Sequence, residues 1–196
     1  MKPKIEIILA SVREGRWGEK VARWVHSVGA ARPDLEATLL DLKDWPLPTY
    51  TLALPPMRAE STYTDPLARA WVARIAAADG FVVVTPEYNH GYPPSLKNVL
   101  DWAYTPWNAK PIAFASYGGA GGGIRAVQQL RQVAIELQMA PIRNEVNIPM
   151  VFTALGDDGA PKDAGVARRA TAMFDQLAWW ADALKNARER RPSAVA

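Results

Sequence analysis

The run Gly80-Phe81-Val82-Val83-Val84-Thr85 is apolar, β-branched and without alternation. A strand with one wet face alternates apolar and polar residues. A continuous apolar strand is buried on both faces, as in a parallel sheet covered by helices on either side. The rest of the chain fits that requirement. Ile5 to Ala10 reads as a first short buried strand. From Gly18 the period changes, with Val21, Trp24, Val25 and Val28 at helical spacing and Pro33 closing the unit. Ala37 to Asp41 reads as a second strand, and Leu67, Trp71 and Ile75 mark a second helix. A helix over Ser95 to Ala103 follows the central run. Pro111 to Ser116 is a fourth strand, followed by a helix with Val127, Leu130, Ala134 and Leu137 on one face. A fifth strand is expected around Asn144 to Ile148, crowded by Pro141 and Pro149. The last helix carries the stripe Val166, Ala170, Met173, Leu177, Trp180 and Leu184. Five strand–helix alternations predict an open parallel sheet with helices on both faces.

At 196 residues, with no internal repeat, the chain is expected to form one domain over residues 1–196, with about 186–196 as a fraying tail. There are no cysteines, which excludes disulfides, thiolate metal sites and cysteine nucleophiles. Two histidines, His26 and His90, are too few for a zinc hydrolase, and no metal site is expected. A net charge of +3 does not call for a nucleic-acid partner. No apolar run is long enough to cross a membrane, so the expectation is a cytoplasmic protein without a membrane role. The proline-rich stretch from Trp45 to Pro66 exceeds an ordinary connection and reads as a functional loop or an interface arm. Trp24, Trp71 and Trp180 are expected in the core. Trp45, Tyr50 and Trp107 are expected at a subunit interface or a substrate roof.

In such a sheet, ligands bind beyond the carboxyl ends of the strands, where the strand order reverses. Three loops belong there. The first, Ser11-Val12-Arg13-Glu14-Gly15-Arg16-Trp17-Gly18, joins a strand to a helix N-terminus, where free N–H groups and the helix dipole favour a phosphate. Ser11, Arg13 and Arg16 add a hydroxyl and two guanidiniums. The second, Pro86-Glu87-Tyr88-Asn89-His90-Gly91-Tyr92-Pro93-Pro94, is rigid and suited to presenting backbone N–H groups to a flat heteroaromatic ring. The third, Ser116-Tyr117-Gly118-Gly119-Ala120-Gly121-Gly122-Gly123, lets the backbone approach a ligand closely. Within it, Gly121 to Ala126 matches G-x-G-x-x-A by coincidence: it follows the fourth strand, and no strand ending in an acid lies about 20 residues on.

Ser11-x-Arg13-x-x-Arg16-x-Gly18, Thr85-Pro86-Glu87-Tyr88-Asn89 leading into Leu96-Lys97-Asn98-x-x-Asp101-Trp102, and Ser116-x-Gly118-Gly119 occur in that order. Together they resemble the NAD(P)H-dependent FMN reductase family, over roughly residues 4–185. The resemblance implies a flavodoxin-like three-layer sandwich, with a five-stranded parallel sheet in the order 2-1-3-4-5. It implies FMN as cofactor and NADPH or NADH as hydride donor. Ser11, Arg13, Arg16, Trp17 and Gly18 would surround the FMN phosphate. Pro86, Glu87, Tyr88, Asn89 and His90 would line the isoalloxazine through backbone N–H groups. Ser116, Tyr117, Gly118 and Gly119 would form the opposite wall. No side chain is assigned as an obligatory general acid or base, because the cofactor carries the chemistry. His90 is expected to be structural or stacking, with protonation of a reduced quinone as its alternative role. Many members carry Gly-Ser or Tyr-Ser where this chain has His90-Gly91-Tyr92, which leaves open the small-molecule acceptor: free flavin, quinone, azo compound or metal oxyanion. The family resemblance also implies a homodimer or homotetramer. Two other functions fit the residues: a flavodoxin-like electron carrier, and a flavin-binding regulatory oligomer without nicotinamide turnover.

Overall fold

The computed structural model describes residues 2–190. Its parallel sheet is built on β1 (Lys4–Leu9), β2 (Glu36–Asp41), β3 (Gly80–Pro86) and β4 (Pro111–Tyr117), in the order β2-β1-β3-β4. The far edge of β4 is taken by two short segments in series, β5 (Ala140–Pro141) on its first residues and β6 (Val146–Ile148) on its last. The expected fifth strand, around Asn144 to Ile148, is found as the shorter β6, and β5 is a further segment ahead of it. Pro141 interrupts the ladder, and the carbonyls of Ile142 and Arg143 are taken instead by the Arg131 guanidinium, which also pairs with Glu145.

Side chains alternate across each strand, so each contributes to two cores. On one face α1 (Gly18–Ala30) and α7 (Ala164–Arg190) cover Ile7, Leu9, Val82, Val84 and Ala115, with Phe174 among the residues they bury. On the other face α3 (Pro66–Ala77), α4 (Pro94–Asp101) and α5 (Ile124–Glu136) cover Ile8, Val83 and Phe114. Every residue of β3 is buried, as its unbroken apolar run requires. Asp65 caps α3 by accepting from the Ala68 N–H at 2.8 Å, with Pro66 at the first helical position.

One expectation about the loop aromatics changes on folding. Trp107 is not at an interface: it is 0% exposed, packs edge-on against Phe81 at 4.7 Å, and its indole N–H donates to the Leu100 carbonyl. Trp45 is half-buried and packs against Trp71 at 5.2 Å. The stretch from Trp45 to Pro66, which includes the short helix α2 (Pro56–Ala59), folds back on α4. Asn98 donates to the carbonyls of Leu47 and Pro48 and accepts from the Tyr50 N–H, while Trp102 donates to Pro48. The chain end is also held further than expected. α7 runs to Arg190, and Arg188 donates to the Ala109 carbonyl and to Asp79. The rest of the expected tail, 191–196, lies outside the described residues.

Asp79 ties this end of the sheet together. It accepts from the Lys4 N–H, the Lys185 ammonium and the Arg188 guanidinium. Burial alone would raise its carboxyl pKa, but these donors outweigh burial and hold it below the ordinary value. Nearby Lys110 is 5% exposed and caps the end of α3, its ammonium nitrogen 2.7 Å from the Ile75 carbonyl and 3.0 Å from that of Ala76. Burial, then the Arg188 charge, push its pKa down from 10.5 to about 7, against the pull of Asp79. Between those two values the unfolded chain binds a proton that the folded chain does not. Stability is therefore expected to rise with pH from about 7 to 10.5 on account of this lysine. Comparing the melting temperatures of wild type and Lys110→Met at pH 7 and pH 9.5 checks it. The wild type should gain more between the two than the variant, and equal gains would show that Lys110 does not titrate in this window.

Candidate flavin and nicotinamide site

A cleft of about 300 Å³ opens at the carboxyl ends of β1, β3 and β4. The strand order reverses at β1 and β3, where neighbouring strands send their connections to opposite faces and leave a crevice between loops. The predicted residues Ser11, Arg13, Arg16, Trp17, Pro86, Glu87, Tyr88, Tyr117, Gly118 and Gly119 line it.

The two arginines of the first loop do different things. The Arg16 side chain is 3% exposed and points back into the protein. Four of its five N–H donors are taken: by Glu19, by the Ser11 carbonyl, and by both oxygens of Asp41. Arg16 therefore clamps the loop onto the end of β2. Arg13 is exposed, forms no ion pair among the described residues, and lies 5.7 Å over the Tyr88 ring. Its donors face the cleft unspent. Beside it the N-terminus of α1 has no side-chain cap, and among the described residues the Gly18 and Glu19 N–H groups have no acceptor. Gly18 sits beneath, not on the cleft wall. A Cβ there would overlap the Tyr117 hydroxyl and lie 2.8 Å from Leu9 Cδ1, which is why no larger residue fits.

In the second loop Tyr88 and Gly91 exchange two backbone hydrogen bonds at 2.8 and 3.0 Å, and the residues between them have positive φ, 50° at Asn89 and 70° at His90. This is a two-residue hairpin turn of the primed type. Asn89 and His90 are exposed at its tip, outside the cleft wall proper. Among the described residues, no protein group accepts from their two backbone N–H groups. The Tyr88 hydroxyl shares a 2.7 Å hydrogen bond with buried Ser11, joining the first two loops. The Glu87 carboxylate is spent on the Arg125 guanidinium and backbone N–H at the start of α5.

In the third loop Ser116 is fully buried and structural, its hydroxyl donating to the Gly122 carbonyl and accepting from Asn147. Gly123 has φ 84°, and a Cβ on it would stand 2.7 Å from that of Ser116. The last glycine of the G-x-G-x-x-A match is thus required by close packing on the end of β4. Gly119 has open space where a Cβ would be, so its backbone can be approached closely. Tyr117 closes the floor, with burial raising the pKa of its hydroxyl and keeping it neutral.

Val151 and Phe152, in the short helix α6 (Val151–Ala154) after β6, complete the wall together with Glu14 and Gly15. Phe152 is 59% exposed and meets Trp17 edge-on at 6.0 Å. Backbone bonds from Met150 to Gly119 and from Val151 to Gly118 bring it there. Its signal was an aromatic just past the last expected strand, which ends at Ile148 as β6 does, but the sequence does not show that the loop after it folds back to the cleft.

The cleft carries the unspent Arg13 guanidinium, and the turn beside it, just outside the wall, carries two backbone amides with no protein acceptor among the described residues. A family described as NADPH-dependent FMN reductase matches residues 3–153. The chain belongs to this family. It is accordingly an oxidoreductase that uses FMN and a nicotinamide nucleotide, and the donor set of the cleft fits such a cofactor. The chain is 39% identical over 181 residues to an NAD(P)H-dependent FMN reductase of Schizosaccharomyces pombe, covering 89% of this chain and 90% of that one. It is 33% identical over 144 residues to a quinone reductase of Escherichia coli K12, covering 70% and 73%. In fold it is similar to the flavoenzyme NAD(P)H:(acceptor) oxidoreductase FerB of Paracoccus denitrificans, with a TM-score of 0.74 at 21% identity over 92% of this chain and 97% of that one. The flavodoxin-like fold is thereby established.

Proposed function

We propose that the cleft holds FMN with its phosphate at Arg13 and the uncapped start of α1, and its ring against the Tyr88–Gly91 turn, and that the enzyme reduces quinones. The observation that carries this is a set of unspent donors, the Arg13 guanidinium on the cleft wall and the Asn89 and His90 amides at the exposed turn that adjoins it through Tyr88. Arg13 and the helix amides suit a dianion, while the Asn89 and His90 N–H groups suit the acceptor edge of a heterocycle. Arg16 supports the first set by holding the loop, and Ser11 joins both sets through Tyr88.

When bound, FMN supplies an acceptor for hydride from NADPH or NADH and hands the electrons on to a second substrate. The chain's own residues bind, orient and shield. Tyr117 forms the floor, and Trp17 with Phe152 forms an aromatic rim. Glu87, already bound to Arg125, is not placed to move a proton. His90 sits at the exposed tip, where it can meet an acceptor approaching the cleft. The E. coli relative is named a quinone reductase, which favours quinones among the acceptors; free flavin, azo compounds and metal oxyanions are the other candidates. We further propose a single domain over the whole chain, a cytoplasmic location, and a homodimer or homotetramer joined in part through the exposed Leu52, Leu54 and Met57 of the proline-rich arm. No helix among the described residues is long and apolar enough to cross a membrane.

The test is an anaerobic visible spectrum of the purified protein with FMN, before and after NADPH, followed by addition of a quinone. The flavin bands should bleach faster than in a protein-free control and return when quinone is added. Bound flavin that stays oxidised with both NADPH and NADH would instead indicate a carrier or a regulatory oligomer.

A further inference from the structure

Two consecutive non-glycine residues with positive φ are costly. The left-handed conformation carries a penalty of roughly 1 kcal/mol per L-residue, and such strain persists only where the surroundings enforce it. Asn89 and His90 are the residue types that tolerate it best after glycine. Even so, their own turn supplies only the two bonds between Tyr88 and Gly91. The remaining restraint on the tip comes from α5. The Gln129 side-chain amide donates to the His90 carbonyl at 3.0 Å. Its oxygen lies against Gly91, 3.4 Å from where a Cβ would stand. One turn of helix earlier, Arg125 holds Glu87 at the entrance to the same loop.

We propose that Gln129 is a positioning residue: by holding the His90 carbonyl it keeps the turn in its strained form, and so keeps the two free N–H groups aimed at the flavin ring. The inference rests on the assignment of the flavin to this cleft. Releasing the His90 carbonyl would let the positive φ of His90 and Asn89 relax, which re-aims their N–H groups while β3, which ends at Pro86, stays in place. Gln129 itself is exposed on α5, so its replacement leaves the helix's buried face intact.

The decisive experiment compares wild type, Gln129→Ala, and the double variant Gln129→Ala with His90→Gly. Asn followed by Gly is the sequence that adopts the primed turn with least strain, so glycine at 90 should make the external hold unnecessary. Gln129→Ala is expected to weaken FMN binding about fivefold, as for the loss of one hydrogen bond, and to shift the bound flavin's midpoint potential and absorption bands. Adding His90→Gly should restore most of both. A Gln129→Ala protein with wild-type affinity, potential and spectrum overturns the proposal. So does a loss that His90→Gly leaves unrepaired, since that would place the role of Gln129 in α5 and not in the turn. If the wild type itself bound no FMN, the site assignment would fail, and with it the premise of this inference.

Discussion

Asp41→Ala is expected to cost about 3 kcal/mol of stability, the scale for removing one partner of a largely buried ion pair. Asp41 stands at the end of β2, far from Arg16 in sequence, and its two oxygens take donors from both terminal nitrogens of that guanidinium. With alanine there, a side chain 3% exposed keeps its charge, with only Glu19 and the Ser11 carbonyl left to compensate it. Asp41 also caps the short turn that follows β2 by accepting from the Lys43 N–H. Urea unfolding should show a lower midpoint with an unchanged slope, and FMN affinity should fall with it because Arg16 no longer pins the first loop. Arg16→Ala together with Asp41→Ala should be less damaging than Asp41→Ala alone, since no charge is then left stranded. A single-variant midpoint equal to wild type would show that solvent, not Asp41, compensates Arg16.

Arg13→Ala should behave in the opposite way. Its guanidinium is exposed and lies over the Tyr88 ring, a contribution of about 0.5–1 kcal/mol at an exposed position. Stability should therefore change little. FMN affinity should fall about 10- to 100-fold, corresponding to roughly 1.5–3 kcal/mol for a charge-assisted hydrogen bond to phosphate. The loss should be smaller for riboflavin, which has no phosphate to lose. It should also shrink in high salt, because an exposed charge is screened. Fluorescence titration of both flavins with wild type and variant measures all three. An unchanged FMN affinity would remove Arg13 from the phosphate end of the cleft.

These two arginines, three residues apart, show where reading the sequence stops. Both looked alike as basic residues in a strand–helix loop, and the spacing carries no information on which one turns inward. Asp41 decides that, and it reaches Arg16 only because β2 lies parallel beside β1. The same holds for Ser116, which belongs to the predicted motif but spends its hydroxyl on the loop backbone. It holds also for Glu87, whose carboxylate is committed to α5. Trp107 looked like an exposed loop residue because it lies outside any periodic segment. It is buried because its irregular stretch crosses over the start of β3 and docks on Phe81.

What the sequence alone determined was the architecture and the address of the candidate cleft. Apolar runs without alternation specify strands buried on both faces, helical stripes between them specify the covering layers, and the reversal of strand order then places any ligand at the carboxyl ends of β1, β3 and β4. These are properties of local period and chain order, which a linear sequence records directly. Tertiary structure alone decided which polar groups remain free at that address. It took Arg16, Ser116 and Glu87 out of service, left Arg13 and the turn amides unspent, and brought Phe152 across from the far edge of the sheet. A donor's availability depends on partners distant in the chain, and packing chooses them.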